Sequence, residues 1–358
     1  MPTLCVNQSG CRIRLSGERL EVFGPDPESD PDSGAARDKL LREIPLRDVD
    51  RLIMGDCTHI TTPAMSAMLD AGIPIQIFSW SGRCLGSFLP SQNKHGAARL
   101  LQYRRTLEPA FAMEISRRVI HAKLYNQRRV LQRVGAARGL IKAADTAPTL
   151  QGPPEPGTLR HTLAWMDALF GSVRNAASID ELRGYEGATT ARYFQAWATF
   201  LPAEFPFERR STRPPLNAVN ACVSFGSTII YNEMVAFLHG HGLDPALGLL
   251  HSTEDGRWSL ALDLIEPFRP VFVEALSLDL FTHQILNATH FESRNGGVYL
   301  NEEGRKKFFV QYERRMERQF MSEALGHRTT LRQQLENQAT DFKSALENPP
   351  GFEPFLMN

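Results

Sequence analysis

Three segments of the chain carry ionisable side chains in patterns that could do chemistry. The first is His251-Ser-Thr-Glu-Asp-Gly-Arg-Trp-Ser-Leu-Ala-Leu-Asp263-Leu-Ile-Glu266-Pro-Phe-Arg-Pro270, where a histidine and two carboxylates stand among apolar residues. A carboxylate buried without a partner is costly, so something must compensate Asp263 and Glu266. On one helix the two would lie three apart on the same face. Pro267 disfavours helical dihedrals at Glu266, which leaves a kink or a new helix start equally open. The plain alternative is structural: Asp263 caps a helix and Glu266 pairs with Arg269. The second segment is Arg183-Gly-Tyr-Glu186-Gly-Ala-Thr-Thr-Ala-Arg-Tyr-Phe194, preceded by Ser178-Ile-Asp-Glu181, which has the form of a capping box. Gly184 and Gly187 leave space beside Glu186 for a ligand or another backbone. Alone, a glutamate near a helix start usually just favours the helix dipole. The third is basic: between Arg99 and Arg138 ten basic residues face only Glu108 and Glu114. Arg117, Arg118, Arg128 and Arg129 could neutralise a row of phosphates, or they could be a solvated helix face. Arg209, Arg210 and Arg213 form a smaller cluster beside a proline turn, and the planar guanidinium suits phosphate better than lysine does.

The elements that must position these groups fall into two textures, so the sequence predicts an α+β protein. A β-sheet-rich domain over residues 1–92 precedes a larger, mostly α-helical catalytic domain over 93–345. Cys11-Arg-Ile-Arg-Leu15 and Leu20-Glu-Val22 alternate about a Ser16-Gly17-Glu18 turn and predict a hairpin in an antiparallel sheet. Residues 25–37, acidic and proline-rich, predict an excursion from it. Thr62 and Pro63 mark a helix start as cap and first residue, and Gly72 marks its stop before a strand from Ile73 to Phe78. Ser81-Gly82-Arg83 turns the chain back through Cys84 to Phe88. Beyond Pro90 to Gly96, apolar residues recur at helical spacing, as at Phe111, Ile115, Val119 and Ala122. Gly152 to Gly157 and Arg213-Pro-Pro read as loops between helix groups. Residues 346–358 read as a loose C-terminal tail.

Composition narrows the partners. The 358 residues are 42% hydrophobic, enough to bury a large core, and 40 basic side chains balance 40 acidic ones. Any affinity for polyanions therefore comes from local clustering. Five cysteines, never in a C-x-x-C pair, argue against a disulfide framework and a zinc knuckle and predict a reducing cytoplasm. No stretch approaches the ~20 apolar residues of a membrane span, so no membrane is expected.

Taken in order, the motifs resemble the CRISPR-associated integrase family, the universal catalytic subunit of spacer acquisition. The likeness rests on Gly184-Tyr-Glu-Gly with Ala191-Arg-Tyr-Phe194, on Arg213-Pro-Pro-Leu-Asn-Ala-Val-Asn220 leading to Ser224-Phe-Gly226, and on Leu249-Leu-His251. Leu260-Ala-Leu-Asp-Leu-Ile-Glu-Pro-Phe-Arg-Pro270 and Gly296-Gly-Val-Tyr-Leu-Asn-Glu-Glu-Gly-Arg-Lys307 complete it, and the whole spans roughly residues 5–330. The resemblance implies that Glu186, His251 and Glu266 hold a metal ion and that Asp263 supports them. One imidazole with carboxylate oxygens suits Mg²⁺ or Mn²⁺ better than structural zinc. The acidic segment 25–37 and the Ser252-Thr-Glu-Asp255 insert depart from the family pattern. The implied reaction is insertion of protospacer DNA into a CRISPR repeat by transesterification, a 3′-hydroxyl attacking a phosphodiester without ATP. The implied partners are DNA, a second copy of the chain in a homodimer formed through the N-terminal domain, and a small ferredoxin-like adaptation protein. Two other readings share these residues: an endonuclease cutting branched DNA by hydrolysis, and a catalytically silent DNA-binding scaffold.

Overall fold

Alternating side chains build the N-terminal strands. In β2 (Arg12–Ser16) and β3 (Arg19–Pro25), Ile13, Leu20 and Val22 point to a core and the residues between them face out. The structure is a computed structural model describing residues 3–6, 8–26, 38–79, 84–91, 95–141 and 158–358. The predicted excursion from residue 27 onward, the turn at Ser81-Gly82-Arg83 and the loop at 152–157 lie outside the described residues. The chain divides into two compact units, Met1–Gly96 and Ala97–Asn358.

Among the described residues the first unit holds eight strands in two four-stranded sheets. β1 (Thr3–Val6), β5 (Arg51–Gly55) and β7 (Ile75–Phe78) run parallel, and β8 (Cys84–Phe88) closes that sheet antiparallel to β7. In the second sheet β4 (Asp38–Pro45), β3 and β2 are antiparallel, and the short β6 (His59–Ile60) joins β2 in parallel. The predicted hairpin forms about residues 17 and 18. The sheet is mixed, however, where an antiparallel one was expected. Parallel pairing needs a crossover, and in the β1-β5-β7-β8 sheet α1 (Thr62–Asp70) lies on the one from β5 to β7. Thr61 rather than Thr62 is the N-cap residue of α1, and Gly72 takes the positive φ of +80° that ends it.

The second unit is helical. After α2 (Gly96–Thr106), the 29-residue α3 (Pro109–Ala137) buries Phe111, Ile115, Val119 and Ala122, the stripe that the spacing predicts. α4 (Leu159–Asn175) and α5 (Ile179–Ala198) pack on α3, and Ser178 caps α5 by accepting the Glu181 amide. α6 (Ala218–Gly240) is long and apolar enough to cross a membrane, contrary to the expectation of no such stretch; its length is mostly buried, as befits the central helix of a core. α7 (Ser259–Ile265) leads through a turn and a π-helical stretch at Pro270–Glu274 to α8 (Ala275–Thr282). A hairpin of β9 (Phe291–Arg294) and β10 (Gly297–Leu300) precedes α9 (Glu302–Glu317). A second small hairpin, β11 (Phe320–Ser322) with β12 (His327–Thr329), precedes α10 (Leu331–Ala345). The last residues are not the loose tail that their composition suggests. Phe352 is fully buried and Phe355 is 8% exposed, because both rings find places in the helical core.

Candidate active site

The turn after α7 follows from two prolines. Pro267 and Pro270 lack the N–H groups that would bond the Asp263 and Glu266 carbonyls in a regular helix. The helix tightens instead: the Glu266 amide donates to the Asp263 carbonyl at 3.3 Å and the Phe268 amide to Ile265 at 2.9 Å. It then widens into the π-helical stretch. Glu266 nevertheless keeps helical dihedrals, φ −55° and ψ −41°, despite the proline that follows it. Asp263 and Glu266 thus emerge from one continuous piece of backbone, both buried, at 1% and 4% exposure.

Their surroundings separate their roles. Both oxygens of Asp263 are taken up: Oδ2 accepts the amides of Leu249 and Leu250 at 2.7 and 3.0 Å, and Oδ1 accepts the His251 amide at 3.0 Å. Oδ1 also lies 2.6 Å from the His251 Nδ1. Asp263 therefore ties down the loop bearing the histidine and, with the proton on Nδ1, turns Nε2 outward as a lone pair. That loop is tight, since a Cβ added to Gly248 would sit 2.1 Å from the His251 carbonyl oxygen. Burial lowers the proton affinity of His251, but the Asp263 hydrogen bond and the Asp263 and Glu266 charges outweigh it, and the imidazole pKa rises above its ordinary value.

Glu266 faces cations. Arg269 Nη1 donates to its Oε1 at 3.0 Å, and Lys123 Nζ lies 2.5 Å from its Oε2. Both oxygens of the buried carboxylate are thus held by cations. Burial pushes the carboxyl pKa up; Arg269, Lys123 and His251 overcome it and hold Glu266 at about 2. Lys123, on α3, also donates to Glu186 on α5. Desolvation opposes its charge, but the two carboxylates prevail and its pKa is raised. Glu186 further accepts from Thr190 Oγ1 at 3.0 Å and its side chain is 26% exposed. A Cβ at Gly184 or Gly187 would meet nothing within 4 Å, so the helix beside Glu186 has the open space that its sequence predicts. Glu274, fully buried on the π-helical stretch, is pushed up by burial against the pull of Arg269 and Lys123.

Among the described residues no three histidine, cysteine or acidic side chains converge as a ready metal cage. Glu186 and Glu266 instead share the Lys123 ammonium, and the Glu266 charge raises the His251 pKa while His251 helps to lower that of Glu266. The donor chemistry does fit a hard divalent cation: two carboxylates drawn to one positive charge and a tautomer-locked imidazole. Sequence reasoning placed Lys123 only within the basic run and Arg269 only as a partner of Glu266. The signal for Lys123 was a lone ammonium between Ala122 and Leu124 on a stripe that is otherwise buried.

The basic run is not a row of free cations. Arg117 donates to the Ala176 carbonyl, Arg118 to Glu114 and the Phe352 carbonyl, Arg128 to Asp167, and Arg129 to Gln132. Arg210 is turned inward onto Asn220 and Ser224, at 3.0 Å each, and burial lowers its pKa to about 10. Arg209 and Arg213 are exposed. The proline turn beside them docks onto β10, where the Val298 amide donates to the Pro215 carbonyl at 2.8 Å; two motifs far apart in sequence meet there.

The family model for CRISPR associated protein Cas1 matches residues 4–314, most of the chain. The chain belongs to that family. A CRISPR-associated endonuclease Cas1 of Thermus thermophilus is 30% identical over 324 residues, 90% of each chain. Among solved structures, a casposase bound to integration product is similar at a TM-score of 0.74 and 18% identity, covering 98% of this chain and 91% of that one. A chain of a partial Cas6-RT-Cas1–Cas2 complex reaches 0.71 at 24% identity, covering 99% and 98%. At such identities the two structures speak for the Cas1 fold and no further.

Proposed function

We propose that this Cas1-family chain is a metal-dependent DNA integrase that inserts protospacer DNA into a CRISPR repeat. The observation that carries the reading is the Lys123 ammonium shared between Glu186 and Glu266, 80 residues apart in sequence, with the His251 loop tied by Asp263 to the same stretch of backbone as Glu266. Glu186, His251 Nε2 and Glu266 would hold a Mg²⁺ or Mn²⁺ ion, with Asp263 as support. Bound there, the ion supplies Lewis acidity toward a phosphodiester. The chain's own groups do the rest. Arg269 and Lys123 offset charge growing on the phosphate oxygens, and Asp263 keeps the imidazole in one orientation. In the reaction a 3′-oxygen bonds to phosphorus as the P–O3′ bond of the repeat strand breaks. The proton lost by the attacking hydroxyl appears on the departing one, and one phosphodiester replaces another without ATP.

The relatives' name as endonucleases supports nuclease-type chemistry. The resemblance of the motif series to the CRISPR-associated integrase family supports a small adaptation protein as partner. We assign the chain DNA, a second copy of itself and that adaptation protein as partners, in the cytoplasm. Arg209 and Arg213, exposed beside the docked turn, are the first candidates for phosphate contact. The test is strand transfer between a labelled 3′-hydroxyl duplex and a repeat-bearing target. Joined products that vanish in His251→Ala, while DNA binding persists, are expected. Cut but never joined products would turn the reading to a hydrolytic endonuclease, and full joining by His251→Ala would overturn the site.

A further inference from the structure

The C-terminal residues are joined to the backbone on both sides of Glu266 by two buried amides. Asn126, on α3 one turn beyond Lys123, is 0% exposed. Its Nδ2 donates to the Pro267 carbonyl at 2.7 Å and to the Phe355 carbonyl at 2.9 Å, while its Oδ1 accepts the Met357 amide at 2.7 Å. Gln338, on α10 and 2% exposed, donates through Nε2 to the Leu264 carbonyl at 3.1 Å and accepts the Phe355 amide at 2.9 Å. The two amides thus take both backbone groups of Phe355 and the carbonyls of Leu264 and Pro267, which flank Glu266. The Phe355 ring stacks on Phe268, centroids 4.8 Å apart and planes within 8°. Further anchors lie at each end: Arg118 donates to the Phe352 carbonyl at 3.1 Å, and the Asn358 side chain bonds the Met321 carbonyl.

Local structure explains why such a device is needed here. Leu264 would bond the Phe268 amide in a regular helix, but Phe268 bonds Ile265 instead, so the Leu264 carbonyl needs another donor. A buried carbonyl without one carries a desolvation penalty of about 1–3 kcal/mol. The two prolines that bend the chain at Glu266 also weaken its grip on a single conformation, and Asn126 and Gln338 restore that grip from outside the helix.

We propose that residues 352–358 form a strap that positions Glu266, and that Asn126 and Gln338 are the positioning residues transmitting its hold. The proposal rests on the reading of Glu266 as a metal-binding group. The strap touches neither DNA nor cation; it sets where the Glu266 carboxylate stands relative to Glu186 and His251.

The test uses the full-length chain and the near-isosteric changes Asn126→Leu and Gln338→Met, which keep volume and remove the hydrogen bonds. Mn²⁺ affinity is read by electron paramagnetic resonance titration, and amide exchange over residues 264–269 is read without metal. Groups that orient metal ligands typically change affinity by roughly 10–100-fold when lost, and a weakening in that range with faster exchange at 264–269 is expected. Tyr312→Phe, which removes a buried hydrogen bond to Glu233 away from these residues, is the control; it should lower the melting temperature and leave Mn²⁺ affinity unchanged. Should either amide variant not fold, Phe355→Leu, which keeps the backbone bonds and removes the stack on Phe268, gives the same readouts, with a smaller weakening expected. Native Mn²⁺ affinity and native exchange, or losses no larger than those of Tyr312→Phe, would overturn the strap. If instead Glu266→Gln itself binds Mn²⁺ normally, the reading of Glu266 fails first, and the two failures are told apart.

Discussion

The helical unit holds two ionic clusters, each centred on a buried cation, and they are built differently. In one, Arg332 spends its guanidinium on three carboxylates: Nη1 on Glu233 at 2.9 Å, Nη2 on Glu313 at 2.7 Å and Nε on Glu317 at 2.6 Å. Tyr312 adds a hydrogen bond to Glu233 at 3.0 Å, and the cluster ties α6, α9 and α10 together. In the other, a compact ammonium, Lys123, is shared between Glu186 and Glu266. A guanidinium is a rigid fork that saturates its partners; an ammonium is a point charge that another cation can replace. The comparison teaches that buried charge alone does not mark a site. The kind of cation does.

The largest expected effect separates function from stability. Glu266→Gln should reduce strand transfer to little measurable turnover while the protein stays folded. Arg332→Met should cost about 3–5 kcal/mol of stability, because it strands the buried Glu233, yet leave activity per folded molecule near normal. Denaturant unfolding and strand transfer measured on both variants check this, and a dead but stable Arg332→Met would break the comparison.

Next in size is the response to metal. Lys123→Met removes the shared cation from Glu186 and Glu266 and should destabilise the metal-free chain by up to about 3–5 kcal/mol, less whatever Arg269 still compensates. Added Mn²⁺ should recover much of that loss by binding only the folded form, whereas Arg332→Met should gain no more from Mn²⁺ than the unmodified chain does. Melting curves with and without Mn²⁺ decide it; equal shifts in both variants would mean that the two clusters do not differ in kind.

A smaller effect sharpens the division within the site. Asp263→Asn should lower turnover roughly 10–100-fold, as for a group that orients a ligand. Measured beside Glu266→Gln under saturating Mn²⁺, a dead Asp263→Asn with an active Glu266→Gln would exchange their roles.

The smallest expected change lies at the surface. Arg209→Ala with Arg213→Ala should weaken DNA binding alike for all sequences and flatten its salt dependence by about one unit per lost contact. The inward-turned Arg210 should contribute stability and no salt slope. An unchanged slope for the exposed pair would make them plain solvated residues.

Residue order alone carried the α+β organisation, the hairpin at 12–23, the long buried stripe of α3 and the motif series that matches the Cas1 family, because periodicity and spacing are local properties that neighbours in sequence already express. It also singled out Glu186, His251, Asp263 and Glu266 as residues that need partners. It did not say which partners. Lys123 meets Glu186 across 63 residues and Asn126 meets Pro267 across 141, distances that no periodicity spans. For the same reason the arginines of α3 looked free, the sheet looked wholly antiparallel and the C-terminal residues looked loose. Which charges end up paired, which strands run parallel and which chain end is strapped into the core are decided by packing, where burial makes each polar group find a partner wherever the fold brings one.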